Sequence, residues 1–262
     1  MNNQLIFSLM VGIFVGGSAG FLGSLMITKR MALVGDALGH VALPGMGLAL
    51  LFNIDPSIGA FAFLLFGILL IWQLSEKTSL SVETLVGIVF VSSLAMGFLI
   101  VPEPELLESL IGDISKVSAG GMVISVLLSG LVFLLIKRIY AGLMLLNISE
   151  DLAMVQGITS AKYNLPYLLA IAVIVSLGIK VMGSLLVGAL VIIPAASARI
   201  ISKNLKQYVY GSIAIGAISN VLGISIHQLS HFPAGPSIIL VNSLLFAGFF
   251  LFRKVAFLPL GK

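Results

Sequence analysis

Cysteine is absent from this chain of 262 residues, and charged residues make up only 9% of it. The lack of cysteine excludes disulfides and metal sites built from thiolates. The scarcity of charge excludes a soluble domain of this size, because a hydrophobic content of 59% and a mean hydropathy of +1.19 leave too little polar surface. The composition therefore indicates an integral membrane protein, with the lipid bilayer as its main surroundings.

An ATP-binding sequence is missing as well. No G-x-x-x-x-G-K-[ST] stretch occurs, so the chain does not bind ATP through a P-loop. Any process that ATP drives here requires hydrolysis on a second polypeptide. The first ten residues also lack the basic region and cleavage site of a secretory signal, which predicts that the first hydrophobic segment is retained.

Hydrophobic segments close to the length of a bilayer span recur along the chain. The second segment contains several glycines and a proline, which predicts a broken or re-entrant helix. The third and seventh segments are short, so eight crossings with one partial helix are an alternative to nine. We predict an all-α, polytopic transmembrane helix bundle of eight to nine spans, forming one domain over residues 1–262. The segments are about 5–27, 31–52, 57–74, 83–101, 119–136, 163–182, 184–198, 209–230 and 237–252.

The lysines and arginines predict the orientation of the chain. Placing the N-terminus outside and the C-terminus inside puts all of the 14 basic residues except Lys116 and Lys180 on the inner side. Because short inner loops of membrane proteins carry an excess of Lys and Arg, this orientation is preferred over the reverse. The net charge of +4 is thus a topology signal, and nucleic acid is not an expected partner.

Two polar side chains interrupt the apolar stretch "MALVGDALGHVALPG", residues 31–45. A charged Asp at the centre of a membrane helix costs roughly 2.5–3.5 kcal/mol, so such residues are usually functional. Asp36 and His40 are four residues apart, which puts them on one face of a helix. A carboxylate with an imidazole suits Zn²⁺, Mn²⁺ or Fe²⁺.

The Asp36–His40 pair has an alternative interpretation as a buried polar pair. In that case His40 donates to Asp36 or to a neighbouring carbonyl and serves helix packing. Two ligands also do not complete a coordination shell. A two-fold dimer with these faces across its axis would supply four ligands from one short motif.

A second pair of histidines, His227 and His231, lies at the predicted outer end of the eighth segment. Four-residue spacing allows metal binding, but position 228 is Gln, so the Glu of a metalloprotease HExxH motif is missing. One interpretation is an interfacial pair without a ligand role. The other is an entrance site or part of an outer gate.

Two connections between spans are polar. The outer stretch 101–116 contains Glu103, Glu105 and Glu108, which are either solvated surface or a docking site that attracts cations or a binding protein. The inner segment at about 147–162 is polar and then helical in its pattern.

These motifs resemble those of the membrane permeases of zinc/manganese/iron-type ABC importers, and the resemblance covers most of the chain. The second helix of that family carries a G-D-[AT]-[LI]-x-H-x-x-L-P-G-like motif. Its coupling segment resembles "SEDLAMVQGI", and a later helix resembles "GSLLVGALVIIPAASARI". The matching residues are Gly35, Asp36, Ala37, Leu38, His40, Leu43, Pro44 and Gly45, then Glu150, Leu152, Ala153 and Gly157, and then Gly183, Leu186, Ala189, Pro194, Ala195 and Arg199.

One position departs from the family pattern. The final motif, S-x-x-x-D-x-P-x-G, matches at Pro233 and Gly235, but His231 stands where Asp is usual. If this position acts at an outer gate, a histidine would make the gate sensitive to pH near neutrality.

The resemblance implies a homodimeric permease in a prokaryotic inner membrane, with two cytoplasmic ABC ATPase subunits and an extracytoplasmic metal-binding protein as donor. It implies that Asp36 and His40 bind the transported ion, Zn²⁺ or Mn²⁺ ahead of Fe²⁺, with no permanent cofactor and no enzymatic activity of the chain. The coupling residues would be Glu150, Asp151, Leu152, Ala153 and Gly157. Two other classes are left open: an ATP-independent secondary transporter or channel, and an intramembrane metal-dependent enzyme.

Overall fold

The computed structural model describes residues 3–100, 112, 114, 117–184, 186–230 and 232–256. Within these ranges the regular structure is helical, which confirms the predicted all-α class. The helices are α1 Asn3–Thr28, α2 Val34–Val41, α3 Leu43–Leu51, α4 Pro56–Lys77, α5 Val82–Ile100, α6 Ala119–Ile148, α7 Glu150–Val155, α8 Ser160–Met182, α9 Val187–Ile201, α10 Leu205–Ser230 and α11 Ala234–Ala256.

Eight helical segments in the described ranges are long and apolar enough to cross a membrane. Helices α2 and α3 together count as one of them, Val34–Leu51. The predicted seventh segment corresponds to α9, which is apolar but has only 15 residues. The count of eight to nine spans is confirmed, with α9 as the partial one.

The second segment is broken, as its composition predicts. Helix α2 ends at Val41 and α3 begins at Leu43, with Ala42 between them. Pro44 follows in the first turn of α3, and its nitrogen carries no hydrogen to donate to the carbonyl of His40. The break therefore lies directly after the Asp36–His40 pair.

Short polar side chains cap the N-terminal ends of several helices. The carboxylate of Asp55 accepts from the Ser57 amide at 2.8 Å and caps α4. The hydroxyl of Ser118 caps α6 by accepting from the Gly121 amide at 3.1 Å. Each cap satisfies one of the amide groups that a helix start leaves unpaired.

Helix α1 is central in the bundle and packs on α6, α8, α9 and α10. Its contact with α10 is made by backbone, because a Cβ on Gly20 would collide with the carbonyl of Ser212. In the same way, a Cβ on Gly16 would meet the carbonyl of Gly216 at 2.5 Å. Small residues at such crossings let membrane helices approach closely.

The bundle has two ends, which we name by α1. The upper end holds the start of α1, where the Ser8 hydroxyl donates to the carbonyl of Ile114. The lower end holds the end of α1, where the Asn147 amide donates to the carbonyl of Thr28. Helices α1 and α6 therefore run parallel, and α7 lies at the lower end.

Candidate metal site

Asp36 and His40 lie on α2, and both side chains are half-buried. Helix α2 packs against α4, α5, α8 and α9, so the pair lies on a helix of the bundle and not in a loop. At 1.5 Å per residue, His40 is about 9 Å from the start of the α2–α3 span of 18 residues, whose length is about 27 Å.

Glycines bring the backbone of α2 against the start of α9. A Cβ on Gly188 would lie 2.5 Å from Cβ and 2.8 Å from Cα of Asp36. A Cβ on Gly39 would lie 2.7 Å from the carbonyl oxygen of Ser184. Any side chain at position 188 would therefore displace the backbone that carries Asp36.

No hydrogen bond from Asp36 or His40 to another side chain occurs among the described residues. The His40 ring lies 5.5 Å from the Phe90 ring, at a tilt of 45°. Its Nδ1 is buried and has no hydrogen-bond partner among the described residues. A buried polar atom without a partner is costly, and each one calls for an explanation. The packing interpretation requires a hydrogen bond from His40 to Asp36 or to a carbonyl, and the described part of the chain contains none.

The described part of a single copy offers too few ligands for a closed site. No cluster of three or more His, Cys, Asp or Glu side chains occurs among the residues that the structure describes. A transition-metal ion takes four or more ligands. The pair thus fits a metal cargo only if further ligands come from a second copy, from backbone or from water.

The histidine at the end of α10 has a different environment. His227 lies at the upper end, half-buried, and its Nδ1 hydrogen-bonds with the carbonyl of Phe232 across the turn into α11. His231, its proposed partner, is outside the described residues. The acidic residues proposed for docking, Glu103, Glu105 and Glu108, are also outside them.

The predicted coupling segment forms a short helix at the lower end. Helix α7 begins at the cap Ser149, whose hydroxyl accepts from the Leu152 amide at 3.3 Å. Ala153 is buried against the bundle, while Leu152 is 57% and Val155 86% exposed. Glu150 and Asp151 are exposed beside them. Exposed apolar side chains on a rigid helix are typical of a contact surface for a partner.

Gly157 ends α7 in the left-handed conformation, with φ at +73°. The amide of Gly157 bonds to the carbonyl of Met154, and the amide of Ile158 bonds to that of Ala153, both at 2.9 Å. This is the Schellman arrangement, which favours glycine at its left-handed position. The same arrangement follows α1 with Arg30 at φ +61°, where a non-glycine residue is unusual.

Sequence reasoning missed a polar network around Lys29. The Lys29 ammonium donates to the Asn164 side chain at 3.3 Å and lies 4.9 Å from the centre of the Tyr167 ring. It borders a cavity of about 280 Å³, also lined by Glu83 and Glu150. The two contacts of Lys29 join the end of α1 to α8, and residues of α5 and α7 line the cavity beside them.

Raising the pH is expected to stabilise the fold through Lys29. Burial lowers the pKa of Lys29 below its usual 10.5, although the carboxylate of Glu150 acts in the opposite sense. The unfolded chain therefore binds this proton more tightly, so the penalty of burying a charge is relieved as the pH rises through the folded pKa toward 10.5. In thermal unfolding, the melting temperature of wild type should rise relative to that of Lys29→Met over that pH interval. A pH-independent difference between the two would contradict this.

The described ranges form a helical bundle with eight candidate membrane spans, and the fold is that of the permeases of ABC importers, as the comparisons with known proteins show. The chain belongs to the ABC 3 transport family, which matches residues 1–253.

Curated relatives align over nearly the whole chain. One is the manganese import system permease protein ScaB of Streptococcus gordonii, 31% identical over 98% of this chain and 93% of the relative. Another is the high-affinity zinc uptake system membrane protein ZnuB of Buchnera aphidicola subsp. Baizongia pistaciae, 33% identical over 94% of this chain and 97% of the relative.

Two solved structures share the fold. PsaBC from Streptococcus pneumoniae in complex with Fab has a TM-score of 0.81 and 29% identity, and the match covers 94% of this chain and 91% of that one. A putative metal-chelate type ABC transporter in an inward-facing conformation has a TM-score of 0.75 at 20% identity, which supports the fold alone.

Proposed function

We propose that the protein is the permease of an ATP-driven importer of Zn²⁺ or Mn²⁺, and that Asp36 and His40 of two copies bind the ion during its passage. The buried, unpartnered Nδ1 of His40 on the same helix face as Asp36 is the observation that carries this proposal. The relatives named for manganese import and zinc uptake support the choice of cargo. Fe²⁺ has no comparable support.

A homodimer is part of this proposal, because the described residues of one chain bring only Asp36 and His40 to the site. Two copies would supply two carboxylates and two imidazoles, which meets the needs of a four-coordinate divalent ion. The set contains nitrogen and oxygen but no thiolate. It would therefore hold the ion less firmly than a cysteine site, and a transported ion must be able to leave.

The places of the ATPase subunits and of the donor protein follow from the predicted orientation, with the N-terminus outside and the C-terminus inside a prokaryotic inner membrane. The lower end then faces the cytoplasm, where the α7 helices of the two copies contact two ABC ATPase subunits through Leu152 and the acidic Glu150 and Asp151. The buried Ala153 holds α7 on the bundle. The upper end faces an extracytoplasmic metal-binding protein. Glu103, Glu105 and Glu108 would dock that protein, and His227 and His231 would form the outer gate.

Force from the ATPase subunits would reach the site through the lower end. Closure of the ATPase dimer would move α7, whose Glu150 borders the same cavity as Lys29, and Lys29 links the end of α1 to α8. Helices α1 and α8 both pack near α2 and α9, where Gly188 abuts Asp36. Rocking of these packed helices would alternate access to the pair.

Uptake of labelled metal distinguishes this function from its rivals. The chain is reconstituted in vesicles with its proposed ATPase and donor protein, and uptake of ⁶⁵Zn or ⁵⁴Mn is followed with ATP or with a non-hydrolysable analogue. Uptake only with ATP supports the importer. Equal uptake by the chain alone, without ATP, would indicate an ATP-independent transporter or channel. Hydrolysis of a substrate by the chain alone would indicate an intramembrane enzyme.

Replacing Gly157 with alanine is expected to reduce transport without removing metal binding. No neighbour lies within 4 Å of a Cβ at this position, so the φ of +73° alone opposes the side chain, at a cost of roughly 1–2 kcal/mol. The end of α7 would fray and contact the ATPase less well. Metal content and metal-stimulated ATP hydrolysis are measured together. Gly157→Asn, which tolerates this conformation better, should retain more transport, and equal loss in both variants would contradict the backbone explanation.

A further inference from the structure

A long apolar groove runs along the outside of the bundle between α1, α6 and α10, away from the Asp36–His40 pair. Its volume is about 1040 Å³, at the upper end of what ligand sites enclose. Phe14, Gly17, Gly130, Leu131 and Ile213 are among the residues that line it. One charged residue, Arg138, borders it.

The groove has the dimensions of one membrane leaflet. On α6 it extends from Val126 to Arg138, which is about 18 Å along the helix axis. Half of the hydrocarbon core of a bilayer is about 15 Å thick. Counted from Ala119, where α6 begins, Arg138 is about 28 Å along the helix, close to the full hydrocarbon thickness. Arg138 therefore lies at the level of the headgroups at the lower end.

Arg138 is exposed and has no hydrogen-bond or ion-pair partner within the part of the chain that the structure describes. Its guanidinium presents donors suited to a phosphate, and the apolar wall beside it is 59% exposed at Leu131 and 66% at Leu134. A cation at the mouth of an apolar groove, at headgroup depth, is complementary to a molecule with an anionic head and an aliphatic tail. A neutral protein surface would leave this charge unpaired.

We propose that the groove binds an anionic phospholipid of the lower leaflet, with one acyl chain along α6 and the phosphate paired with Arg138. Basic sites between membrane helices recognise anionic headgroups in this manner. The site is separate from the proposed metal path, so its occupancy does not depend on the nature of the cargo. A bound lipid would fill the space between α1 and α6 and fix their relative position.

Native mass spectrometry of the purified full-length protein, with any subunits that remain attached, tests this assignment. Phosphatidylglycerol and phosphatidylcholine with identical acyl chains are titrated separately. One ion pair at the membrane surface contributes about 1 kcal/mol, so wild type should prefer phosphatidylglycerol by about fivefold. Arg138→Gln should abolish that preference. Lys137→Gln removes the adjacent charge, which does not border the groove, and should keep it.

A second pair of variants tests the groove itself. Gly130 lines the groove and a Cβ there meets no neighbour within 4 Å, so Gly130→Leu is expected to occupy part of the groove and to weaken binding of both lipids. Gly248 is equally open but outside the groove, and Gly248→Leu should bind as wild type does.

Three results would overturn the proposal. The first is equal affinity of wild type for the two lipids, and the second is an equal loss of preference in Lys137→Gln and Arg138→Gln. The third is dissociation of a dimer by Gly130→Leu, since the groove would then be a contact between copies of the chain.

Discussion

Replacing His40 with alanine is expected to abolish metal import and to leave the fold intact. His40 is half-buried and its Nδ1 has no internal partner, so its removal breaks no hydrogen bond of the described structure. Loss of a residue that only orients a metal ligand already lowers metal affinity by roughly 10–100-fold, and loss of the ligand itself should lower it more. Asp36→Asn should act in the same direction, because it removes the negative charge that attracts the cation. Uptake of labelled metal and bound metal per chain are the measurements.

The control for the Asp36 substitution is Asp55→Asn. Asp55 caps α4 and lies outside the membrane helices, where the Ser57 amide lowers the pKa of its carboxyl. Asparagine caps helices about as well as aspartate, so this variant removes a carboxylate at little cost in stability. Import should be close to wild type. An equal loss of import in Asp36→Asn and Asp55→Asn would mean that general electrostatics, and not a local site, is responsible.

Replacing Gly188 with alanine should produce the second largest effect, although this residue offers no ligand atom. The added methyl group would lie 2.8 Å from Cα of Asp36, which is backbone and cannot rotate away. Either α2 or α9 must shift, and overpacking of this kind costs roughly 1–3 kcal/mol. We expect a lower melting temperature together with a loss of bound metal, since the shift moves the helix that carries Asp36 and His40.

Gly87→Ala is the matched control for Gly188→Ala. Gly87 is on the neighbouring helix α5, and a Cβ there meets nothing within 4 Å. Alanine at this position should preserve both melting temperature and metal content. If Gly188→Ala retained full metal binding, the close approach of α9 would have no role in positioning the pair.

The span count and the position of the Asp36–His40 pair could be predicted from the sequence because both depend on local pattern. Hydropathy over about twenty residues marks a span, and a charge within such a run is costly enough to be noticed. Pro44 likewise predicts the break after α2, because the lack of an amide hydrogen is a property of proline itself and can be read from the sequence.

The supporting contacts could not be predicted in that way. Gly188 is important because it meets Asp36 from a distant helix, and nothing in its own segment identifies the partner. Ser184 and Gly188, four residues apart, indicate only that some helix approaches closely. In the sequence Lys29 indicates only the orientation of the chain, because its contacts with Asn164 and Tyr167 depend on how α1 and α8 pack. Arg30 gives no sequence signal for its left-handed turn, where glycine is the usual residue.

The proposed transport requires that one divalent ion is held between the Asp36–His40 pairs of two copies. Elemental mass spectrometry on the purified complex, combined with X-ray absorption at the edge of the bound metal, tests this directly. We expect one Zn²⁺ or Mn²⁺ per two chains, surrounded by nitrogen and oxygen with an imidazole signal that disappears in His40→Ala. Retention of the metal and its imidazole signal in that variant would contradict it.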